Sequence, residues 1–121
     1  MKKVLVLDDD IDLLDMVSLV LTRYNMKVNP LDKCLQFYDT LSSDKPDIIL
    51  MDIYLGECDG RELCQQFKKL NDYTGIPVIL YSAGNVTQSS VQESLADDFM
   101  SKPFDIKQLV DRINHHLAAR G

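Results

Sequence analysis

The sequence predicts an α/β fold of the doubly wound, flavodoxin-like (βα)5 kind, and three observations predict it. Short continuous apolar runs alternate with stretches of helical periodicity, each run stops at a polar residue or a turn signal, and no internal repeat, low-complexity segment or linker-like stretch breaks the alternation. Continuous apolar runs mark strands buried on both faces. Strands alternating with helices must return over a parallel sheet with one hand, which leaves helices on both sides of it. The 121 residues, 45% hydrophobic and 26% charged, read as one domain over 1–121, long enough to bury a core.

The first strand is Val4-Leu5-Val6-Leu7, stopped by Asp8-Asp9-Asp10, and Ile11, Leu14, Val17 and Leu21 follow at helical spacing. Lys27 to Asn29 is a short, weak strand before Pro30, and Cys34, Leu35, Tyr38 and Leu41 give the stripe of a second helix, closed by Asp44-Lys45-Pro46. The third strand is the run Ile48 to Met51, which ends in the carboxylate of Asp52 with Gly56 and Gly60 just beyond. Gly60 and Arg61 open a third helix with Leu63, Cys64, Phe67 and Leu70 as its stripe, and the Asn71 to Gly75 turn cluster ends it. Pro77 to Tyr81 is the fourth strand and runs into Ser82-Ala83-Gly84. The fourth helix, Val86 to Leu95, is poor, with only Val91 and Leu95 to bury, and is the element expected to move. Asp98-Phe99-Met100 makes a short fifth strand before Ser101-Lys102-Pro103. Ile106, Leu109, Val110, Ile113 and Leu117 mark the clearest helix.

A net charge of −6 and a pI of about 4.7 argue against a polyanion partner, because a nucleic-acid binder needs a basic face. No apolar run approaches the roughly 18 residues of a membrane span, and Met-Lys-Lys followed by four apolar residues and three aspartates is no signal peptide. These readings place the chain in the cytoplasm. Cys34, Cys58 and Cys64, odd in number and without a Cys-x-x-Cys pair, are read as reduced thiols. His115 and His116, adjacent on a helix, point in different directions and are not read as a metal pair.

In doubly wound sheets ligands bind at the carboxyl ends of the strands, where the strand order reverses. Polar residues stand at those ends here: Asp8, Asp9 and Asp10 after the first strand, Asp52 after the third, Ser82 after the fourth and Lys102 after the fifth. In a sheet of order 2-1-3-4-5 the first and third strands are neighbours, so Asp8, Asp9 and Asp52 converge. Such a cluster needs a cation, and Mg²⁺ suits hard oxygen ligands while keeping waters and a place for a phosphate oxygen. One acid, Asp52, is then free to attack phosphorus, with the metal, Lys102 and Ser82 available to the transferred oxygens.

With these residues in view, the chain resembles the receiver domain of bacterial two-component response regulators along its whole length. The resemblance rests on Val-Leu-Val-Leu-Asp-Asp-Asp at 4–10, Pro-Asp-Ile-Ile-Leu-Met-Asp at 46–52, Asp-Gly at 59–60, Pro-Val-Ile-Leu-Tyr-Ser-Ala at 77–83 and Lys-Pro-Phe at 102–104. It implies a five-stranded parallel sheet of order 2-1-3-4-5 and a phosphorelay function, in which Asp52 takes a phosphoryl group from a phospho-His of a sensor histidine kinase or a His-containing phosphotransfer protein. It further implies Asp9 as a direct Mg²⁺ ligand, Asp8 as one through water, and the Tyr54 backbone carbonyl as another. Ser82 becomes the hydroxyl that swings to the phosphoryl group, Lys102 the cation that binds it, and the bond before Pro103 cis. Asp10 matches a third acid without a chemical role. The fourth helix, fifth strand and last helix become the surface for a downstream protein or a receiver homodimer, with Ser82 and Phe99 as switch residues.

Three departures stand out: Leu55-Gly56 in place of a usual Met-Pro, Phe99 in place of a frequent Tyr, and Leu95 in place of a frequent Gly. In similar domains the residue two places beyond the acceptor, here Tyr54, lines the approach of the attacking water opposite Gly84, so a Tyr54 ring turned inward slows phosphoryl loss. With the last helix ending near Ala119, no room is left for a DNA-binding domain within the chain. Two other classes compete. A haloacid-dehalogenase-type phosphatase would use Asp8 as nucleophile and Asp10 as acid/base, but Asp12 stands where that motif wants Thr or Val, no acidic pair follows the fourth strand, and Asp52 is left idle. A degenerate receiver serving only as a binding module would typically lack one of the acids, and all are present.

Overall fold

The computed structural model describes residues 1–120. Five strands, β1 (Lys2–Leu7), β2 (Met26–Leu31), β3 (Ile48–Asp52), β4 (Val78–Ser82) and β5 (Asp98–Ser101), pair in parallel in the order β2-β1-β3-β4-β5. The helices are α1 (Ile11–Arg23), α2 (Phe37–Ser43, after a short 3-10 turn Cys34–Gln36), α3 (Gly60–Lys68), α4 (Gln88–Glu93) and α5 (Ile106–Arg120). Because successive strand residues point to opposite faces, the apolar runs divide into two cores. Val4, Val6, Ile48, Leu50, Ile79 and Tyr81 meet α1 and α5, whereas Leu5, Leu7, Ile49, Met51, Val78 and Leu80 meet α2 and α3.

The strand order makes β1 and β3 neighbours at the switch point, so the loops after them open from one crevice. Asp10 caps α1, its carboxylate accepting from the Leu13 N–H at 3.2 Å, and Asp59 caps α3, accepting from the Arg61 N–H at 2.8 Å.

Several element readings are corrected. β2 extends through Pro30, which an edge strand tolerates because the face without a partner needs no donor. Over the 3-10 turn and α2 the buried residues are Cys34, Phe37 and Leu41, while Leu35 and Tyr38 face solvent; a 3-10 start shifts the stripe by changing the angle between residues. Ile11 and Leu70, assigned to apolar stripes, are exposed at the ends of their segments. α4 is shorter than Val86 to Leu95 and buries none of its residues. Leu95 lies beyond it, exposed, at φ +66°, the left-handed conformation that explains why a glycine is the common choice there. Ser94 is buried in its stead.

Candidate functional site

The crevice gathers Asp8 and Asp9 from the β1–α1 loop and Asp52 from the end of β3, with one carboxylate oxygen of each lying within 4.8 Å of the others. Asp8 is wholly buried, Asp52 nearly so, and Asp9 is exposed. Two buried acids at this separation need donors, and the fold supplies them from β4 and from the segments that follow β1, β3 and β5. The Asp10 N–H donates to Asp8 Oδ1 at 2.9 Å and the Tyr81 hydroxyl to Asp8 Oδ2 at 2.9 Å. The Tyr54 N–H donates to Asp52 Oδ1 at 3.1 Å. Lys102 Nζ lies 3.0 Å from Asp52 Oδ2 and 3.3 Å from Asp8 Oδ2, bridging the pair.

Lys102 reaches this position because β5 ends beside β4, where the Lys102 N–H donates to the Ser82 carbonyl at 2.8 Å and the following bond to Pro103 is cis. Its ammonium also sits 4.9 Å from the centre of the Tyr81 ring, a cation–π contact. Burial works to lower the Lys102 pKa, but the hydrogen bond to Asp52 and the charges of Asp8 and Asp52 outweigh it and the net direction is upward. Burial raises the Asp52 carboxyl above the usual range, and the Lys102 and Tyr54 donors only partly offset it, with Asp8 adding to the rise. The two partners thus both move upward. For Asp52 desolvation wins over the ion pair; for Lys102 the two acids win over desolvation.

Ser82, at the end of β4, is fully buried, and its Oγ accepts from the Gly84 N–H at 3.1 Å. The ring of Tyr54, half exposed, lies against Gly84: a Cβ built on Gly84 would stand 3.3 Å from Tyr54 Cε2 and 3.8 Å from Ser82 Oγ. The ring therefore spans from the β3–α3 loop to the β4–α4 loop, filling the space that the glycine leaves. The Arg61 guanidinium also stands over this ring, 5.8 Å from its centre, held by Asp59 at 2.7 Å. Phe99, half-buried in β5, packs on the α2–α3 side of the sheet.

The loop between Asp52 and α3 is tightly folded. Leu55 N–H donates to the Cys58 carbonyl at 3.1 Å and Gly60 N–H to the Ile53 carbonyl at 2.6 Å, while Gly56, at φ +70°, turns the chain over Asp9. A Cβ on Gly60 would fall 2.3 Å from the Asp52 backbone oxygen, so no larger residue fits. Cys58, in this loop, is disulfide-bonded to Cys34 at the start of the 3-10 turn before α2. The expectation of three reduced thiols is corrected here: Cys64 alone is free.

Asp8, Asp9, Asp52 and Lys102 come together at the strand ends, with Ser82 at the end of β4 joined to Lys102 through its backbone carbonyl, whereas the Asp10 carboxylate caps α1. That removes the acid/base which a phosphatase centred on Asp8 would need. Sequence reasoning missed Tyr81, and the available signal was its hydroxyl inside an otherwise apolar strand, which must find a partner when buried.

A family model described as the response regulator receiver domain matches residues 4–114. The transcriptional regulatory protein KdpE of Staphylococcus aureus (strain NCTC 8325 / PS 47) is 34% identical over 113 residues, covering 92% of this chain and 48% of that protein. The heme response regulator HssR of Staphylococcus epidermidis is 36% identical over 111 residues, with 90% and 48% covered. The chain spans about half the length of these curated relatives. The crystal structure of a putative response regulator from Chloroflexus aurantiacus superposes with a TM-score of 0.90 at 25% identity, over 97% of this chain and 98% of that one.

Proposed function

Since the chain belongs to the response regulator receiver-domain family, a family of signalling domains, we propose that Asp52 accepts a phosphoryl group from the phosphohistidine of a sensor kinase or a His-containing phosphotransfer protein. The observation that carries this reading is the single ammonium of Lys102 bridging two buried acids at the switch point of the sheet. An Asp52 oxygen attacks phosphorus, the P–N bond breaks, and the imidazole nitrogen keeps the electron pair, leaving an acyl phosphate on Asp52. Once that carboxylate is phosphorylated, Lys102 is released from half of its ion pairing and turns to the phosphoryl oxygens.

Ser82 supplies the remaining donor. Its Oγ leaves the Gly84 N–H to reach the phosphoryl group, and this draws the β4–α4 loop inward. The shift passes to α4, β5 and Phe99, which form with α5 the surface for a downstream protein or a second receiver. The domain itself makes no nucleic-acid contact, in keeping with its net charge of −6. It acts in the cytoplasm; no helix among the described residues is long and apolar enough to cross a membrane.

Mg²⁺ fits the donor set, which is all hard oxygen and leaves three clustered acids with one ammonium between them. Asp9 would bind it directly, Asp8 through water, and Asp52 with the Tyr54 carbonyl would complete the protein's share. When bound, the ion offsets the charge of the acids and of the incoming phosphoryl oxygens. The test is intact mass after treatment with acetyl phosphate in Mg²⁺ and in chelator. One phosphoryl group should appear only with Mg²⁺, and an Asp52→Ala chain labelled as well as the parent would show that the acceptor is another residue.

A further inference from the structure

Cys34 and Cys58 join two loops that flank the acidic cluster, and nothing in the proposed chemistry uses them. Cys58 belongs to the loop that runs from Asp52 to α3, four residues beyond Tyr54 and two beyond Gly56. Gly56 packs over Asp9, with 3.5 Å between its notional Cβ and Asp9 Oδ2. Cys34 lies where β2 leaves the sheet, its Cα 6.4 Å from that of Cys58. A groove of about 390 Å³ runs between the two loops, lined by Cys34, Leu55, Gly56 and Glu57 and reaching Asp9. The bridge thus joins the two loops beside a groove that Asp9, the proposed direct metal ligand, also lines.

The loop has particular need of such a tie. It carries Leu55-Gly56 where a proline would restrain it, and Gly56 adds conformational freedom at the turn. We propose that Cys34 and Cys58 form a reversible thiol–disulfide site whose oxidised state fixes the 53–59 loop over Asp9 and raises the affinity of the cluster for Mg²⁺. The inference rests on the reading of Asp8, Asp9, Asp52 and the Tyr54 carbonyl as the Mg²⁺ site. In a reducing cytoplasm the pair is dithiol at rest, and cytoplasmic disulfides that do form are typically transient and redox-sensing.

The oxidant is a small-molecule disulfide. The thiolate of Cys58, the more exposed of the two, attacks one of its sulfurs and expels the first small thiolate. The Cys34 thiolate then attacks Cys58 sulfur and expels the second. Two electrons pass from the protein to the small disulfide, and the two thiol protons end on the released thiolates. Cys64 does not compete, because it is fully buried in α3 and burial pushes its thiol up to about 12.

The full chain is prepared reduced, then exposed to glutathione disulfide, with thiols counted after denaturation. Two of three should disappear, and none in a Cys34→Ser/Cys58→Ser chain beyond what Cys64 contributes. Calorimetric Mg²⁺ titration should give a Kd about fivefold lower for the oxidised parent, with hydrogen exchange slowed between Leu55 and Gly60. The reduced parent and the double-serine chain should agree with each other, and Cys64→Ala should respond as the parent does. An equal or higher Kd after oxidation, or failure of the pair to oxidise, overturns the inference alone. Absence of Mg²⁺ binding in both redox states overturns the metal reading and this inference together.

Discussion

The loops that leave β3 and β4 start side by side at the crevice, yet they are fastened in different ways. The β3–α3 loop is held by a hydrogen bond across its neck, a glycine pressed on the backbone of Asp52, a cap on α3 and, in the oxidised form, a covalent bridge to Cys34. The β4–α4 segment leads to a helix with no buried residue, tied to α3 by Arg61 Nη1 to Ser90 Oγ at 3.3 Å and Gln65 Nε2 to the Glu93 carbonyl at 3.2 Å. Two polar ties, one part-buried and one exposed, are worth little against the apolar contacts that fix a core helix. The comparison teaches a division of labour: one wall of the site holds the acids in register while the other is cheap to displace.

The largest effect tests the acid at the root of the fixed wall and the ammonium paired with it. Asp52→Ala should abolish phosphoryl labelling, and Lys102→Ala should nearly abolish it, since it leaves Asp8 and Asp52 buried without their ammonium; labelling of either variant at the parental rate would break the assignment.

Next comes the fastening itself. Gly60→Ala should cost on the order of 3 kcal/mol in urea unfolding, because the added methyl meets backbone and not a movable side chain. A neutral result would mean that the loop yields and the two walls differ less than their contacts imply.

A smaller, kinetic effect is expected where the walls meet. Tyr54→Ala should speed loss of the phosphoryl group about threefold to tenfold, by opening the approach of an in-line water; decay unchanged or slower would show that the ring is no shield.

The smallest effect sharpens the description of the loose wall. Leu95→Gly should stabilise by about 0.5–1 kcal/mol, since it relieves a left-handed φ of +66° at an exposed position. Hydrogen exchange with beryllofluoride should change between Ser82 and Phe99 and much less between Ile53 and Gly60. The reverse pattern would invert the comparison.

The strands and the residues of the candidate site were legible because burial on both faces leaves unbroken apolar runs, and the residues that stop those runs stand at the strand ends where the crevice opens. Asp8, Asp9, Asp52, Ser82 and Lys102 all belong to that class. What failed depends on angle or on distance through space. Tyr38 and Phe37 are neighbours in sequence, and only the 3-10 start decides which of them the core receives. Pro30 looked like a stop because edge position cannot be seen in a short run. The Cys34–Cys58 bond spans 24 residues, and no local pattern reports that two loops meet. Tyr81 was read only as a strand residue, though its hydroxyl donates to Asp8.

The contact of the Tyr54 ring with Gly84 makes two positions behave as one volume. A side chain at 84 would contest the space within 3.3 Å of the ring, so enlarging one residue calls for shrinking the other. Taken singly, Gly84→Ala should tilt the ring out of the mouth and Tyr54→Ala should leave a gap; combined, the small pair fits again, so the two costs do not add. Substitutions at these positions are therefore expected to drift as a linked pair, and exchanging them jointly is the way to retune the lifetime of the proposed phosphorylated form without touching an acid.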